Sequence, residues 1–430
     1  MENRAQKCVI GDRPALVGKK LLIITPGVPH ASIGASTVLF YYYVQALRNL
    51  GAETRNILLI NRDTKNDNHL TAYLSLMSGE TRFQIVPVEI EERFIDFRRF
   101  RFEVNQRLQR RVMEEIADFH PHVMVCFDLL SAWLAATTSD FVKLAWLGDL
   151  NSQTYWYNAL YGVKERTIHP SKIVPYLGLI WAQCRMWKRI YRDVLSRMSS
   201  IIVSSKSSEK ILKSWGLQAK YLPYPWPKGS VSVSIEGKKI LKKPTFLFLG
   251  SLKGLGSRSA FHFMIRRLYP RLVDLWGNHG FEIIVAGRGG LYEWVEEELK
   301  RRPEFRYIGF AEDIEEVMNS CHAVVVPIDV PVGNRSRIIT AMANRTLVIA
   351  HANTALANPE LLDGKTCLLA RNVEEFVQKM KEAASASSRI LQIVEGGGRV
   401  YDENFQPAAA CNLFIEEVNK ILLARNRWGG

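Results

Sequence analysis

No run of eighteen or more apolar residues occurs in the 430-residue chain, so no segment is expected to cross a bilayer as a helix. The first twenty residues mix charges with Pro14 and Gly18 and lack the apolar core of a secretory signal. Residues 1–18 are therefore expected to be a flexible tail. The six cysteines (Cys8, Cys126, Cys184, Cys321, Cys367 and Cys411) include no CxxC pair. That argues against a disulfide frame or a zinc site and for reduced, mostly buried thiols in a cytoplasmic protein. An Asp-x-Asp pair is also absent, as is any recognised nucleic-acid-binding module, so neither a carboxylate-held metal nor a specific nucleic acid is expected.

What is present is an excess of positive charge, +14 overall, and its placement is uneven. Residues 1–225 hold 30 basic against 20 acidic side chains, whereas residues 226–430 hold 27 against 23. The stretch 164–220 alone carries 12 basic and 3 acidic residues. A one-sided basic surface fits an anionic lipid, a nucleic acid or an anionic substrate, and it also fits an ordinary solvated face. Within it, 173–198 reads as a long helix mixing Trp181, Trp187 and Tyr191 with Arg185, Lys188, Arg189, Arg192 and Arg197. That mixture suits an interfacial helix and equally a core-facing helix with an arginine edge. Arg93–Phe102 (RFIDFRRFRF) is a second basic and aromatic patch.

Hydrophobic patterning predicts two consecutive α/β domains. Lys20–Thr25 reads as a strand, followed by a loop rich in proline and glycine, a helix over Thr37–Leu50 closed by Gly51, and a strand over Asn56–Ile60. The alternation continues with a helix over 103–118 and strands over His122–Cys126, Leu144–Leu147 and Ile201–Ser204. Pro223–Pro244 breaks the rhythm. The expected division is a tail (1–18), an N-terminal domain (19–225), a linker (226–244), a second domain (245–405) and a C-terminal helix (406–430) returning to the first domain. In the second domain, strands are expected at Thr245–Leu249, Glu282–Ala286, Arg306–Ile308, Ala323–Pro327 and Thr346–Ala350, with helices at about 257–275 and at 290–300, 312–319, 335–343 and 373–384. Ligands of such sheets bind beyond the carboxyl ends of the strands, which points to loops 26–36, 148–156, 250–258, 287–290, 328–336 and 351–360.

The segment Val324–Ala350 (VVVPIDVPVGNRSRIITAMANRTLVIA) carries the most chemistry. A buried strand leads through Gly333 to a helix beginning near Arg335. Glycine admits close backbone approach, and a helix start presents free N–H groups and a positive dipole end. Arg335 and Arg337 add planar donor forks suited to phosphate, and together these can neutralise a leaving diphosphate without a metal. Two surface arginines on an ordinary helix would leave the same pattern.

At these residues the chain resembles the retaining glycosyltransferases of family 4, which have the GT-B fold: two Rossmann-like, doubly wound parallel-sheet domains facing across a cleft. Gly333, Arg335, Arg337, Ala341, Met342 and Ala343 match the donor motif, and Asn358–Ala370 (NPELLDGKTCLLA) is similar to its downstream stretch. FLFLGSL, IIVAGRGG, FRYIGFAEDIEEVM and IIVSSKSSEKILKSWG resemble the family's recurrent blocks, with residues 245–377 matching more closely than the N-terminal domain. The resemblance implies that Arg335 and Arg337 hold the donor diphosphate with Gly333, that Lys253 and Arg258 reach it from the Gly250–Arg258 loop, and that Gly287 lies near the nucleotide. Thr340 would face the ribose, Glu360 the transferred sugar, and Gly34 with Ala35 the acceptor. Asp149 would polarise an acceptor hydroxyl or else cap the next turn. The chain departs from the family at Val332 and Thr340, where glutamates are usual, at Gly148, where a histidine is usual, and at Ser251, where an arginine is usual.

The implied function is transfer of a sugar from a nucleotide diphosphate sugar to a saccharide, lipid-linked or other hydroxyl acceptor. Retention of configuration and independence of metal or other cofactor are implied as well. The two basic patches suggest a cytoplasmic protein that touches the inner face of an anionic membrane. A non-catalytic GT-B protein that binds sugars or partners is a rival reading, motivated by Thr340 and Gly148. A nucleotide-sugar epimerase of the same fold is another, and the match at Arg335–Ala343 speaks against it.

Overall fold

The computed structural model describes residues 16–31, 34, 36–61, 68–77, 82–90, 95–96, 101–102, 106–138, 141–165, 167–229, 241–287, 289–332 and 335–428. The chain divides into two compact units, Met1–Pro225 with Pro407–Gly430, and Trp226–Gln406. Each is built on one parallel sheet.

The first unit's strands are β1 (Lys20–Pro26), β2 (Glu53–Asn61), β3 (Phe83–Ile90), a short antiparallel pair β4 (Ile95–Asp96) and β5 (Arg101–Phe102), β6 (Val123–Phe127), β7 (Val142–Leu147), β8 (Ser200–Val203) and β9 (Ala219–Tyr221). Their order in the main sheet is β3-β2-β1-β6-β7-β8-β9. Central strands such as β6 (VMVCF) are buried along their whole length, because crossover helices cover both faces of a parallel sheet. Strand β3 is absent from the sequence expectation because Pro87 interrupts it. It lies at the sheet edge, paired only with β2, where a missing N–H costs no central ladder bond.

Two helices of this unit also fall outside the sequence expectation. Asn68–Met77 and Asn151–Lys164 carry little apolar periodicity, and the second occupies most of the segment read as loop 148–156. The C-terminal helix Pro407–Trp428 packs on helix Ser36–Asn49, with the rings of Phe414 and Tyr43 4.3 Å apart. Lys220 forms an ion pair with Glu417 of the same helix. The side chains of Arg93–Phe102 lie outside the described residues.

The second unit continues with β10 (Thr245–Leu249), β11 (Glu282–Ala286), β12 (Phe305–Gly309), β13 (Ala323–Val326), β14 (Val348–His351) and β15 (Leu368–Ala370), in the order β12-β11-β10-β13-β14-β15. Both sheets reverse direction once, between β1 and β6 and between β10 and β13. Such a reversal leaves a crevice beyond the carboxyl ends of the two strands.

The helix expected over 257–275 is three pieces: Leu255–Phe263, a π-turn at Met264–Leu268, and Tyr269–Trp276. Pro270 accounts for the break, since a proline inside a helix lacks its donor and crowds the preceding turn, and the π-turn widens the helix there. Helix Ser388–Val400 is masked in the sequence by its triple glycine. Those glycines let it lie on backbone: a methyl on Gly397 would sit 2.7 Å from the Thr366 carbonyl oxygen and 3.5 Å from Met342. Among the described residues no helix is long and apolar enough to cross a membrane, and none of the five described cysteines is in a disulfide.

Replacing Gly396 by alanine sets two effects against each other. Helix propensity favours alanine by about 1 kcal/mol. The new methyl would lie inside contact distance of the Lys365 carbonyl oxygen, which is backbone and cannot swing away. Overpacking of that kind costs about 1–3 kcal/mol. Gly396→Ala is expected to lower the urea midpoint of the second unit; an unchanged or raised midpoint would contradict this packing.

Candidate functional site

The crevice between β10 and β13 is bordered by two helix starts. Helix Leu255–Phe263 begins after Gly254 and helix Ser336–Ala343 after Arg335, and neither has a side-chain cap on its first turn. Their first N–H groups are donors available to an anion. Gly250 closes β10 with φ of +130°, in the range that favours glycine. A side chain there would also collide with the Arg337 guanidinium, 2.7 Å from its Cζ and Nη2. Gly250 thus gives the arginine its place.

Arg337 donates from Nη2 to Ser257 Oγ at 2.9 Å and has no carboxylate partner among the described residues. The protein enclosing it, together with the charge of Arg335, lowers its pKa from 12.5 to about 10. It stays cationic at neutral pH, short of solvation and of a counter-charge. Arg335 is only 5% exposed, and its Nη2 donates to the Val330 carbonyl oxygen. Its Nη1 lies 3.7 Å from where a methyl on Gly256 would stand. Two guanidiniums, two helix starts and a glycine loop therefore share one crevice, a constellation suited to a polyanion.

The remaining expected residues are distributed around it. Gly287 follows β11 and lies so close to Gly250 that a methyl would sit 2.8 Å from the Gly250 carbonyl carbon. Lys253 is exposed, with its ammonium 3.9 Å from where a methyl on Gly290 would stand. Arg258 turns to the ring of Tyr292, 5.8 Å from its centroid. Glu360 is partly exposed in the turn after β14, where its carbonyl accepts from Thr366 Oγ1 at 3.0 Å. His351 closes β14 as a buried cap, its Nδ1 accepting from the Asn353 N–H at 3.1 Å. Gly333 and Ala35 lie outside the described residues.

Thr340 is engaged within the protein. Its hydroxyl accepts from Trp226 Nε1 at 2.8 Å and donates to the Ser336 carbonyl at 2.9 Å. Trp226 is in turn held by its own N–H on the Phe405 carbonyl at 2.8 Å and by Tyr401, whose hydroxyl donates to the Trp226 carbonyl at 3.0 Å. Sequence reasoning missed Trp226, which sits in the segment read as linker, and Ser257, whose seryl side chain carried no signal of its own.

In the first unit, Gly34 is exposed with φ of +80° before helix Ser36–Asn49, and Asp149 is exposed directly after β7. Asp128 was also missed. It opens the helix after β6 at the first unit's own sheet reversal, with φ of +72° and its carboxylate accepting from the Leu129 N–H at 2.6 Å. A non-glycine residue in that region is strained, and such strain gathers at functional sites. Among the described residues no group of three histidine, cysteine or carboxylate side chains could hold a metal ion.

If the enclosed charge of Arg337 serves a ligand, it costs the empty protein stability. Arg337→Met is expected to leave thermal stability equal or higher by about 0.5–2 kcal/mol. The same change should abolish the rise in Tm that inorganic pyrophosphate gives the parent. A destabilised Arg337→Met that still responds to pyrophosphate would show a structural arginine instead.

Known proteins resemble this chain in part of its sequence and in fold. Residues 243–385 match the family model of glycosyl transferases group 1. No curated protein matches the chain. Among solved structures, Anabaena HepE in complex with UDP aligns with a TM-score of 0.62 at 12% identity, covering 94% of this chain and 99% of that one. Sucrose-phosphate synthase from Thermosynechococcus elongatus aligns at 0.63 and 14%, covering 95% and 100%. A glycosyltransferase from Rickettsia africae aligns at 0.63 and 13%, covering 94% and 98%. At such identities the likeness is one of fold, and the fold is GT-B.

Proposed function

We propose that this GT-B glycosyltransferase moves a sugar from a nucleoside diphosphate sugar to a hydroxyl of a saccharide or lipid-linked acceptor, with retention of configuration and without a metal. The observation that carries the proposal is Arg337, a partly enclosed cation with no carboxylate partner among the described residues, set with Arg335 at two uncapped helix starts. In the reaction the bond between the sugar's anomeric carbon and the diphosphate breaks, and a bond to the acceptor oxygen forms on the same face. Negative charge grows on the departing diphosphate. Donors fixed in advance around that charge stabilise the transition state more than the ground state. The acceptor proton passes to a phosphate oxygen of the leaving group, so no protein nucleophile is required. Glu360 would hold hydroxyls of the transferred sugar.

HepE has been solved with UDP and with UDP-glucose, which supports a uridine diphosphate sugar as the first donor to test. The basic helix of the first unit supports action at the inner, anionic face of a membrane. A second reading, a GT-B protein that binds without transferring, is favoured by the hydrogen bonds that already occupy Thr340.

The two readings separate in one experiment with EDTA present throughout. UDP-glucose at about a hundred times its Kd should stabilise the protein by roughly 2.7 kcal/mol. Glu360→Ala should keep that stabilisation and lose most transfer or donor hydrolysis. A requirement for a divalent cation would refute metal independence. Normal turnover in Glu360→Ala would refute its assigned role, and nucleotide binding without any turnover in the parent would favour the binding protein.

The Trp226 contact yields a further expectation. Trp226→Phe keeps an aromatic ring, though a smaller one, and removes the N–H, freeing the acceptor side of the Thr340 hydroxyl. Loss of a neutral hydrogen bond costs stability about 0.5–1.5 kcal/mol. UDP affinity should rise in this variant if the ribose uses Thr340, and it should be unchanged if the ribose is held elsewhere.

A further inference from the structure

Helices Asn151–Lys164 and Ile173–Leu195 of the first unit pack against each other as a hairpin. The C-terminal half of the longer helix is core, with Met186, Trp187, Tyr191, Val194 and Leu195 buried. Its first turns are different. Over residues 173–181 only Ile180 is buried, while Val174 is 80% exposed, Leu179 48% and Trp181 55%, and Leu160 of the partner helix is 38% exposed. These are four of the large apolar side chains that the described surface leaves in water; Val174 and Trp181, seven positions apart, share one face of the helix, with Leu179 on its flank. Isolated exposed apolar residues need no explanation, but a cluster does.

The charges beside the cluster identify its partner. From Lys172 to Arg192 the chain holds five basic residues and no acidic one. The Arg185 guanidinium lies 4.7 Å from the centroid of the Trp181 ring. An indole topped by a guanidinium matches the boundary of a lipid layer, with the ring at the level of the head groups and the cation against their phosphates. A protein partner with an apolar patch would not call for the acid-free basic stretch. A nucleic acid would not call for Val174 and Leu179.

We propose that this hairpin end is a membrane-docking element that inserts Leu160, Val174, Leu179 and Trp181 into the surface of an anionic bilayer, with Lys172 and Arg185 on the phosphates. It rests on the membrane location proposed above and gives that location a site. The apolar side chains supply depth and the basic ones supply selectivity. Only this end of the helix meets the interface, and no described helix is long and apolar enough to span.

Flotation of the full chain with two kinds of vesicle tests this, phosphatidylcholine alone and phosphatidylcholine mixed with phosphatidylglycerol. The parent should float with the mixed vesicles and release at high salt. Each basic residue near the surface is worth about fivefold in partition, so Arg185→Ala with Lys172→Ala should weaken binding to mixed vesicles by about 25-fold. Val174→Ser with Leu179→Ser and Trp181→Ala should lose flotation while leaving the melting curve near that of the parent, because these side chains are exposed. Equal recovery with both vesicle types, flotation retained by the apolar triple variant, or no flotation with either vesicle would overturn the proposal. UDP-glucose binding measured without vesicles keeps the two readings apart. The docking variants should bind it as the parent does, and a parent that floats yet binds no nucleotide sugar would fail as a glycosyltransferase while keeping this surface.

Discussion

An arginine partly enclosed by protein, with no carboxylate partner among the described residues, is held at a cost in free energy, and the second unit accepts that cost at Arg337. Much of the surrounding structure holds the guanidinium in place. Gly250 leaves the room it fills, Ser257 accepts one of its N–H bonds, and Arg335 adds a second positive charge where a folding argument would ask for a negative one. Behind helix Ser336–Ala343, the glycine face of helix Ser388–Val400 comes close enough to touch Met342.

The same helix is tied at its other face to the chain entering and leaving the unit. Trp226 is the unit's first residue, and its indole N–H is spent on Thr340 of that helix. Its backbone joins Phe405 and Tyr401, near the point where the chain departs. A threonine held from both sides is a structural joint. Thr340, one of the four positions that depart from the pattern the chain resembles, thus helps anchor the chain's entry, a physical role independent of any nucleotide.

Much of the fold was legible because parallel strands buried on both faces are unbroken apolar runs, and β1, β6, β10, β13 and β14 all read that way. The elements that escaped share a cause. Strand β3 contains Pro87, helix Tyr269–Trp276 contains Pro270, and helix Ser388–Val400 contains Gly396, Gly397 and Gly398. Local preference disfavours each of them. An edge position, a π-turn and a close backbone contact overcome that preference, and all three are properties of neighbours distant in sequence. The long basic helix left two readings open: its C-terminal half is core, as the second reading has it, while its first turns stand in solvent.

The sequence by itself determined the alternation of strands and helices, the two parallel sheets, and the pairing of Arg335 and Arg337 with a helix start, because periodicity and residue chemistry are local. Only the tertiary structure decided which groups surround those arginines. Gly250 and Ser257 lie some eighty residues from Arg337 and Trp226 more than a hundred from Thr340, and it is the order of strands, β10 beside β13, that brings the first two to the crevice. Whether a cation is paired or bare, and whether a hydroxyl is free or taken, depends on such neighbours, and composition and spacing carry no record of them.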